Sequence, residues 1–385
     1  MKDFLPFHRS DVGEEEVAEV VEVLRSGWLT TGPKVREFEK EFAAMVGASH
    51  AIAVNSCTAA LHLALEAIGI HEGDEVLVPT MTFAATAEVV TYFKARPVLL
   101  DCTEDTLNLN TDLIEKAISK RTKAIIPVHF AGHPCDLKPI HAIAKANNLH
   151  VIDDAAHALP ARYHGKMIGG ISDITCFSFY ATKNITTGEG GMITTDNAEW
   201  AARMRMMSLH GLSRDAWNRY SSQGSWYYEI LSPGFKYNLT DIAAALGLAQ
   251  LKKCERFWKG REQYAVRYQE GFKDLPEIVC PQAAAHVQHA WHLYVIQLEL
   301  DRLRINRDEF IRQLQQAGVG CSVHFIPLHL HPYHREMGGY QPEDLPVSSG
   351  VFQRIVSLPL YSKMTESEID RVIGIVHDLV KRSRR

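Results

Sequence analysis

The chain has 385 residues, 46% of them hydrophobic and 23% charged, with a formal net charge of −5. Single cores stop growing near roughly 250–300 residues, so this length predicts one large domain and a smaller one. Interspersed charge signs exclude a basic nucleic-acid face, no stretch approaches the roughly 20 apolar residues of a membrane span, and the opening Met1-Lys2-Asp3-Phe4-Leu5-Pro6 lacks the apolar run of a signal peptide.

Apolar runs at 51–54, 75–78, 97–101, 124–128, 150–153, 174–178 and 191–194 read as strands. Segments 59–68, 82–93, 111–119 and 137–147 read as the helices between them. The strands are continuous Val/Ile runs rather than strict alternations, as in a parallel sheet covered on both faces. Regular alternation of strand and helix predicts an α/β fold. Segment 200–209 reads as a helix, and 213–234, rich in Ser, Gly, Trp and Tyr, as a long loop of the kind that usually serves function. A long helix is predicted over 239–258, continuing toward Phe272, with a domain boundary near 250 that divides the chain into 1–250 and 251–385. Beyond it come strands at 292–298 and 321–325 and helices at 307–317 and 366–380, the last capped by Thr365 above an acidic first turn. Seven scattered cysteines, never spaced C-x-x-C, predict reduced thiols in a cytoplasmic protein rather than disulfides or a zinc knuckle.

The chemistry gathers at strand ends. Lys183 lies shortly after the 174–178 strand, five residues after Ser178 and 29 after Asp154 of the acidic pair Asp153-Asp154. Those are the parts that hold pyridoxal phosphate: an amine that forms a Schiff base with the aldehyde, a hydroxyl for the phosphate, and a carboxylate for the ring nitrogen. Asn55-Ser56-Cys57-Thr58-Ala59-Ala60-Leu61 follows a strand and opens a helix, where backbone N–H groups and hydroxyls can bind an anion. Phe83 follows another strand end, where a flat ring can stack on a planar ligand. His157, three residues after Asp154, can reach a phenolic oxygen. Each part alone has an ordinary reading: a solvated lysine, a helix cap, a core ring. Together they fit one cofactor, and no G-x-G-x-x-G supports a nicotinamide instead.

From Gly27-Trp28-Leu29-Thr30-Thr31-Gly32-Pro33 to Ser357-Leu358-Pro359-Leu360-Tyr361 the sequence closely resembles the DegT/DnrJ/StrS family of nucleotide-sugar aminotransferases. Asp154-Ala155-Ala156-His157, Phe177-Ser178-Phe179, Lys183-Asn184, Gly188-Glu189-Gly190-Gly191 and His289-Ala290-Trp291-His292-Leu293 stand in family order. The resemblance implies the type I fold of pyridoxal-phosphate enzymes: a large α/β/α domain with a mostly parallel sheet, and a smaller C-terminal α+β domain. It implies that Lys183 anchors the cofactor and moves the proton, Asp154 pairs with the pyridine nitrogen, His157 meets the phenolic oxygen and Phe83 stacks. Thr58, the amides beside it including that of Cys57, and Ser178 would bind the phosphate. Trp28, Thr30 and His324 would contact substrate. Where the family often has Gly-x-Asn-x-Arg, this chain has Lys236 and Asn238 at the last two marked positions, facing a phosphate across a homodimer interface.

The implied reaction passes the amine of L-glutamate through pyridoxamine phosphate to a 4-keto nucleotide-linked sugar, for surface polysaccharide or lipopolysaccharide. A 3-keto sugar as acceptor and a catalytically silent cofactor-binding regulator are the alternatives. Lys183 argues against the dehydratases that carry histidine there, and no cysteine sits on an obvious mobile loop as a desulfurase requires. His329, His331 and His334 read as solvated or sugar-contacting rather than as a metal site. Trp217 and Trp226, in the long loop, are placed either at the nucleotide or against a partner subunit.

Overall fold

The structure is a computed structural model that describes residues 4–213 and 227–385, so Trp217 and Trp226 lie outside the described residues. Thirteen strands are present among the described residues. They are β1 (His50–Val54), β2 (Glu75–Pro79), β3 (Arg96–Leu100), β4 (Thr122–Ile125), β5 (His150–Asp154), β6 (Arg162–Tyr163), β7 (Lys166–Met167), β8 (Ile174–Ser178), β9 (Gly191–Thr195), β10 (Ile278–Val279), β11 (Val287–Gln288), β12 (Tyr294–Leu298) and β13 (Ile355–Leu358). The helices are α1 (Glu14–Ser26), α2 (Pro33–Val46), α3 (Cys57–Ala67), α4 (Ala85–Thr91), α5 (Ile114–Ala117), α6 (Leu137–Ala146), α7 (Ala198–Met207), α8 (Asp241–Phe272), α9 (Arg307–Gln316), α10 (Pro332–Gly338), α11 (Pro346–Phe352) and α12 (Glu366–Ser383).

All seven predicted N-terminal strands form one sheet in the order β1-β9-β8-β5-β4-β2-β3. Only β9 runs against the others. Successive side chains of a strand face opposite ways, and here the two faces feed two cores. Ala51, Ala53, Leu77, Ile125, Val151 and Phe177 pack under α2, α6 and α8, through Phe38, Phe42, Ile140 and Leu248. Ile52, Val54, Val76, Val78, Ile152 and Cys176 pack under α3, α4 and α7, through Leu61, Leu65, Val90 and Met204. Burial on both faces is why these strands carry no alternation.

A second sheet, β10-β12-β13, carries its own core with α9, α12 and the late turns of α8, and Leu5 joins it. The expected division at 250 falls inside α8: Leu248 and Leu251 belong to the large-sheet core, whereas Ala265, Tyr268 and Phe272 belong to the second. Thr365 caps α12 by accepting from the Glu368 amide, and Glu368 returns a bond to the Thr365 amide. The strand expected at 321–325 does not form; that segment touches β13 through a single bridge, Ser322 to Ser357. Beyond it, His324 and Phe325 turn from the sheet to line a cavity. Among the described residues no helix is long and apolar enough to cross a membrane.

Candidate active site

Six strands of the large sheet run the same way, and their carboxyl ends open on a cavity of about 550 Å³. Ligands of open α/β sheets collect at this edge. The cavity is lined by Cys57, Thr58, Phe83, Asp154, His157, Ser178, Lys183 and His324, which the sequence placed there, and by Phe7, His8, Thr86, Glu189, Gly190, His292 and Phe325, which it did not.

Lys183 is held on the loop between β8 and β9 by bonds to its own backbone. Its N–H donates to the Tyr180 carbonyl at 2.9 Å, and the Thr187 N–H donates to the Phe179 carbonyl at 3.0 Å. The Ala181 carbonyl accepts from His8 Nε2 at 3.1 Å and from Ser10 Oγ at 2.8 Å, so the N-terminal segment clamps this loop from outside. Burial pushes the Lys183 ammonium down from 10.5 to about 8, against the opposing pull of Cys57 and Asp154. An amine at that value gives up its proton far more readily than an ordinary lysine and, once neutral, can act as a base.

Asp154, at the end of β5, is buried and aimed by two donors: Thr86 Oγ1 at 2.8 Å and the Ala156 N–H at 3.1 Å. Burial raises its carboxyl above the usual range, and those two bonds together with Lys183 oppose the rise. A cation bound beside it would favour the carboxylate. His157 is fixed in one tautomer. The Ala131 N–H donates to its Nδ1 at 3.3 Å, so the neutral ring carries its hydrogen on Nε2 and is a donor there. Burial, then Lys183, holds His157 well below the usual imidazole range. The same two causes hold His324 at about 4. Its Nδ1 lies 2.8 Å from Ser357 Oγ. Burial and Asp154 drive the Cys57 thiol well above its usual range, which leaves it unreactive and removes a cysteine nucleophile from this wall.

Ser56 caps α3 by accepting from the Ala59 N–H at 3.1 Å, so the cap reading of that tract is correct for Ser56. The cap leaves the amides of Cys57 and Thr58 in the first turn without intrahelical acceptors. Glycine lets β9 approach this turn: a Cβ on Gly191 would come within 2.5 Å of the Ser56 carbonyl oxygen, and one on Gly190 within 2.2 Å of Thr187 Oγ1. Free amides, Thr58 and Ser178 therefore meet at an anion cradle, beside an amine, a carboxylate, an imidazole donor and the exposed Phe83 ring. That donor set fits pyridoxal phosphate.

The structure does not bring Trp28, Thr30, Lys236 or Asn238 into this cavity. Trp28 donates from Nε1 to the Thr31 carbonyl and lines a separate hollow of about 300 Å³ with Lys34 and Asp241. The Thr30 carbonyl accepts from the Asp241 amide at 3.2 Å. Lys236 is exposed and its Nζ donates to Asn238 Oδ1, while Asn238 Nδ2 donates to Thr31 Oγ1 at 2.7 Å. His329 uses both ring nitrogens, 2.8 Å from Thr80 Oγ1 and 2.8 Å from Ser349 Oγ.

Residues 10–377 match the DegT/DnrJ/EryC1/StrS aminotransferase family. Over 383 residues the chain is 52% identical to protein MJ1066 of Methanocaldococcus jannaschii, covering 100% of this chain and 99% of the relative. It is 51% identical to the spore coat polysaccharide biosynthesis protein SpsC of Bacillus subtilis, covering 98% of this chain and 97% of that one. The fold superposes on Spr1654 of Streptococcus pneumoniae, described as a sugar aminotransferase and solved in PLP and PMP forms. The TM-score is 0.92 at 35% identity, over 98% of this chain and 99% of the other.

Proposed function

Because this chain belongs to the DegT/DnrJ/EryC1/StrS aminotransferase family, whose solved relatives include sugar aminotransferases, we propose that it moves the amino group of L-glutamate to a 4-keto nucleotide-linked sugar. Pyridoxal phosphate is its cofactor, with pyridoxamine phosphate as the amine-carrying form. The observation that carries this reading is Lys183, brought to about 8 and set in one cavity with Asp154 and the neutral His157.

When bound, pyridoxal phosphate supplies an aldehyde that takes up an amino group and a ring that accepts the electrons of the adjacent carbon. The protein does the rest. Ser178, Thr58 and the first amides of α3 would hold the phosphate, Asp154 would face the pyridine nitrogen, and Phe83 would cover the ring. Nε2–H of His157 would donate to the phenolic oxygen. Nζ of Lys183 would anchor the cofactor and, as a neutral amine, would take and return the substrate proton. Elsewhere the wall is largely apolar, through Phe7, Leu293, Phe325 and Leu360, but it also carries the imidazoles of His8, His292 and His324 and the Ser322 hydroxyl, which suit the hydroxyls of a sugar.

Among the described residues that line the cavity, Lys183 is the only lysine or arginine. We therefore assign Lys236 and Asn238 to the phosphate of a second copy, and Trp28 and Thr30 to its substrate, in a homodimer. The reaction belongs to surface polysaccharide or lipopolysaccharide synthesis in the cytoplasm, where seven unpaired cysteines stay reduced.

The test has two stages. L-glutamate added to the loaded protein should convert the visible cofactor absorbance to that of the pyridoxamine form. The converted protein should then aminate UDP-, dTDP- or GDP-linked 4-keto sugars in a mass-resolved assay. Amination confined to 3-keto sugars overturns the position assigned here, and no conversion with glutamate overturns the donor.

A further inference from the structure

Asn184, beside Lys183, is buried and uses its whole amide. Its Nδ2 donates to the Leu159 carbonyl and the Ala290 carbonyl, each at 2.8 Å. Two carbonyl partners fix which end of the amide is nitrogen, so Oδ1 must be the atom 3.2 Å from His292 Nδ1. An amide oxygen has no hydrogen to give. Nδ1 of His292 therefore carries the proton, and Nε2 of the neutral ring is a bare acceptor.

His292 lines the cavity, and its Nε2 makes no hydrogen bond among the described residues yet is not one of the buried orphan atoms. It faces open space. Its ring stands 4.4 Å from that of His157, whose tautomer is the opposite one. Burial keeps His292 well below the usual imidazole range, with His157 and Lys183 adding to the effect. The wall thus carries a donor ring, set by the Ala131 amide, beside an acceptor ring, set by Asn184.

We propose that Asn184 is a positioning residue that ties the Lys183 loop to the Leu159 and Ala290 segments and locks His292 as a hydrogen-bond acceptor. The acceptor serves the amine N–H groups that pass through the site, on Lys183 or on the incoming amino donor. In the other tautomer, His292 would present a donor to a donor. The inference rests on the amine chemistry of the proposed function and not on which sugar is the acceptor.

Long-range proton–nitrogen correlation on ¹⁵N-labelled holoenzyme reads the tautomer directly, with the His292 signal assigned by its loss in His292→Gln. The expected spectrum has the hydrogen on Nδ1. In Asn184→Leu the hydrogen should move to Nε2, and conversion of the cofactor by saturating L-glutamate should slow about tenfold. A wild-type His292 with its hydrogen on Nε2 overturns the proposal, and so does an Asn184→Leu protein with unchanged tautomer and unchanged rate. If Asn184→Leu does not fold, the wild-type spectrum decides alone. If the wild type ignores L-glutamate, the donor reading fails while the spectrum still judges Asn184.

Discussion

Replacing Lys183 by methionine, which keeps the side-chain length and removes the charge, should abolish turnover and at the same time stabilise the cofactor-free protein near neutral pH. Burial holds this ammonium at about 8 where an unfolded chain would hold it at 10.5. At about 1.4 kcal/mol per pH unit, that gap is about 3.5 kcal/mol at most, and water in the cavity screens part of it. The sign follows from proton counts. Between about 8 and 10.5 the unfolded state binds the proton and the folded state does not, so the wild type gains stability as pH rises through that window. Below about 8 both states are protonated, and the folded protein carries the full penalty. Urea unfolding of cofactor-free wild type and Lys183→Met from pH 7 to about 10 measures the difference, and titrations common to both cancel. The variant should be the more stable at pH 7, and its advantage should shrink steadily toward pH 10. A difference that stays flat over that range would refute the claim that this lysine is held as a costly cation.

Asp154→Asn should slow glutamate-driven conversion roughly 100-fold or more, as expected when a preorganised charge is lost from the reacting centre. Its stability effect has the opposite direction. The folded carboxyl is raised, so its contribution is complete only below 3.8 and is lost as pH rises, and the amide should leave the cofactor-free protein at least as stable at pH 7. Single-turnover absorbance and thermal unfolding separate the two, and a normal rate would remove Asp154 from the ring nitrogen. Lys236→Ala should weaken cofactor binding about tenfold, the loss of one charge-assisted bond. Mixing Lys236→Ala with Lys183→Met subunits should restore activity, since one site of the mixed dimer then has both lysines. Mixtures no more active than their parts would contradict a shared site.

The large sheet was legible because each strand is buried on both faces and announces itself as a short apolar run. Little else announces itself that way. Helix α1 was not anticipated although Val17, Val20, Val21 and Leu24 recur at helical spacing; only Glu16 and Val23 of it are buried, and Val17 and Leu24 are exposed. Segment 321–325 reads as a strand by composition, yet Val323 and Phe325 pack in a small cluster with Met81 and Phe130 instead of pairing along β13. The residues proposed to hold the cofactor within the cavity were legible for a related reason: each ends a strand or lies a few positions beyond one whose end could be located. Phe7 and His8 lie next to no such strand. They arrive because Leu5 bridges to Val319 in the second core and His8 bonds to Ala181, a contact spanning 173 residues that no local pattern encodes.

The residues absent from the cavity are not scattered. Asp241, the first residue of α8, accepts from the amides of Gly32 at 2.8 Å, Val35 at 3.0 Å and Lys34 at 3.2 Å, and so fixes the start of α2. Asn238 reaches Thr31 of the same turn, and Thr31 Oγ1 donates back to the Leu239 carbonyl. Trp28, Thr30, Lys236 and Asn238 are therefore one rigid unit built around a buried carboxylate. The Asn55 amide donates to the Tyr237 carbonyl at 2.7 Å, which places that unit beside the turn that opens α3. In the homodimer proposed above, a second copy would present this unit, held by Asp241, to the phosphate of the cavity. Substituting Asp241 should therefore disturb cofactor binding in the neighbouring subunit's cavity more than in its own.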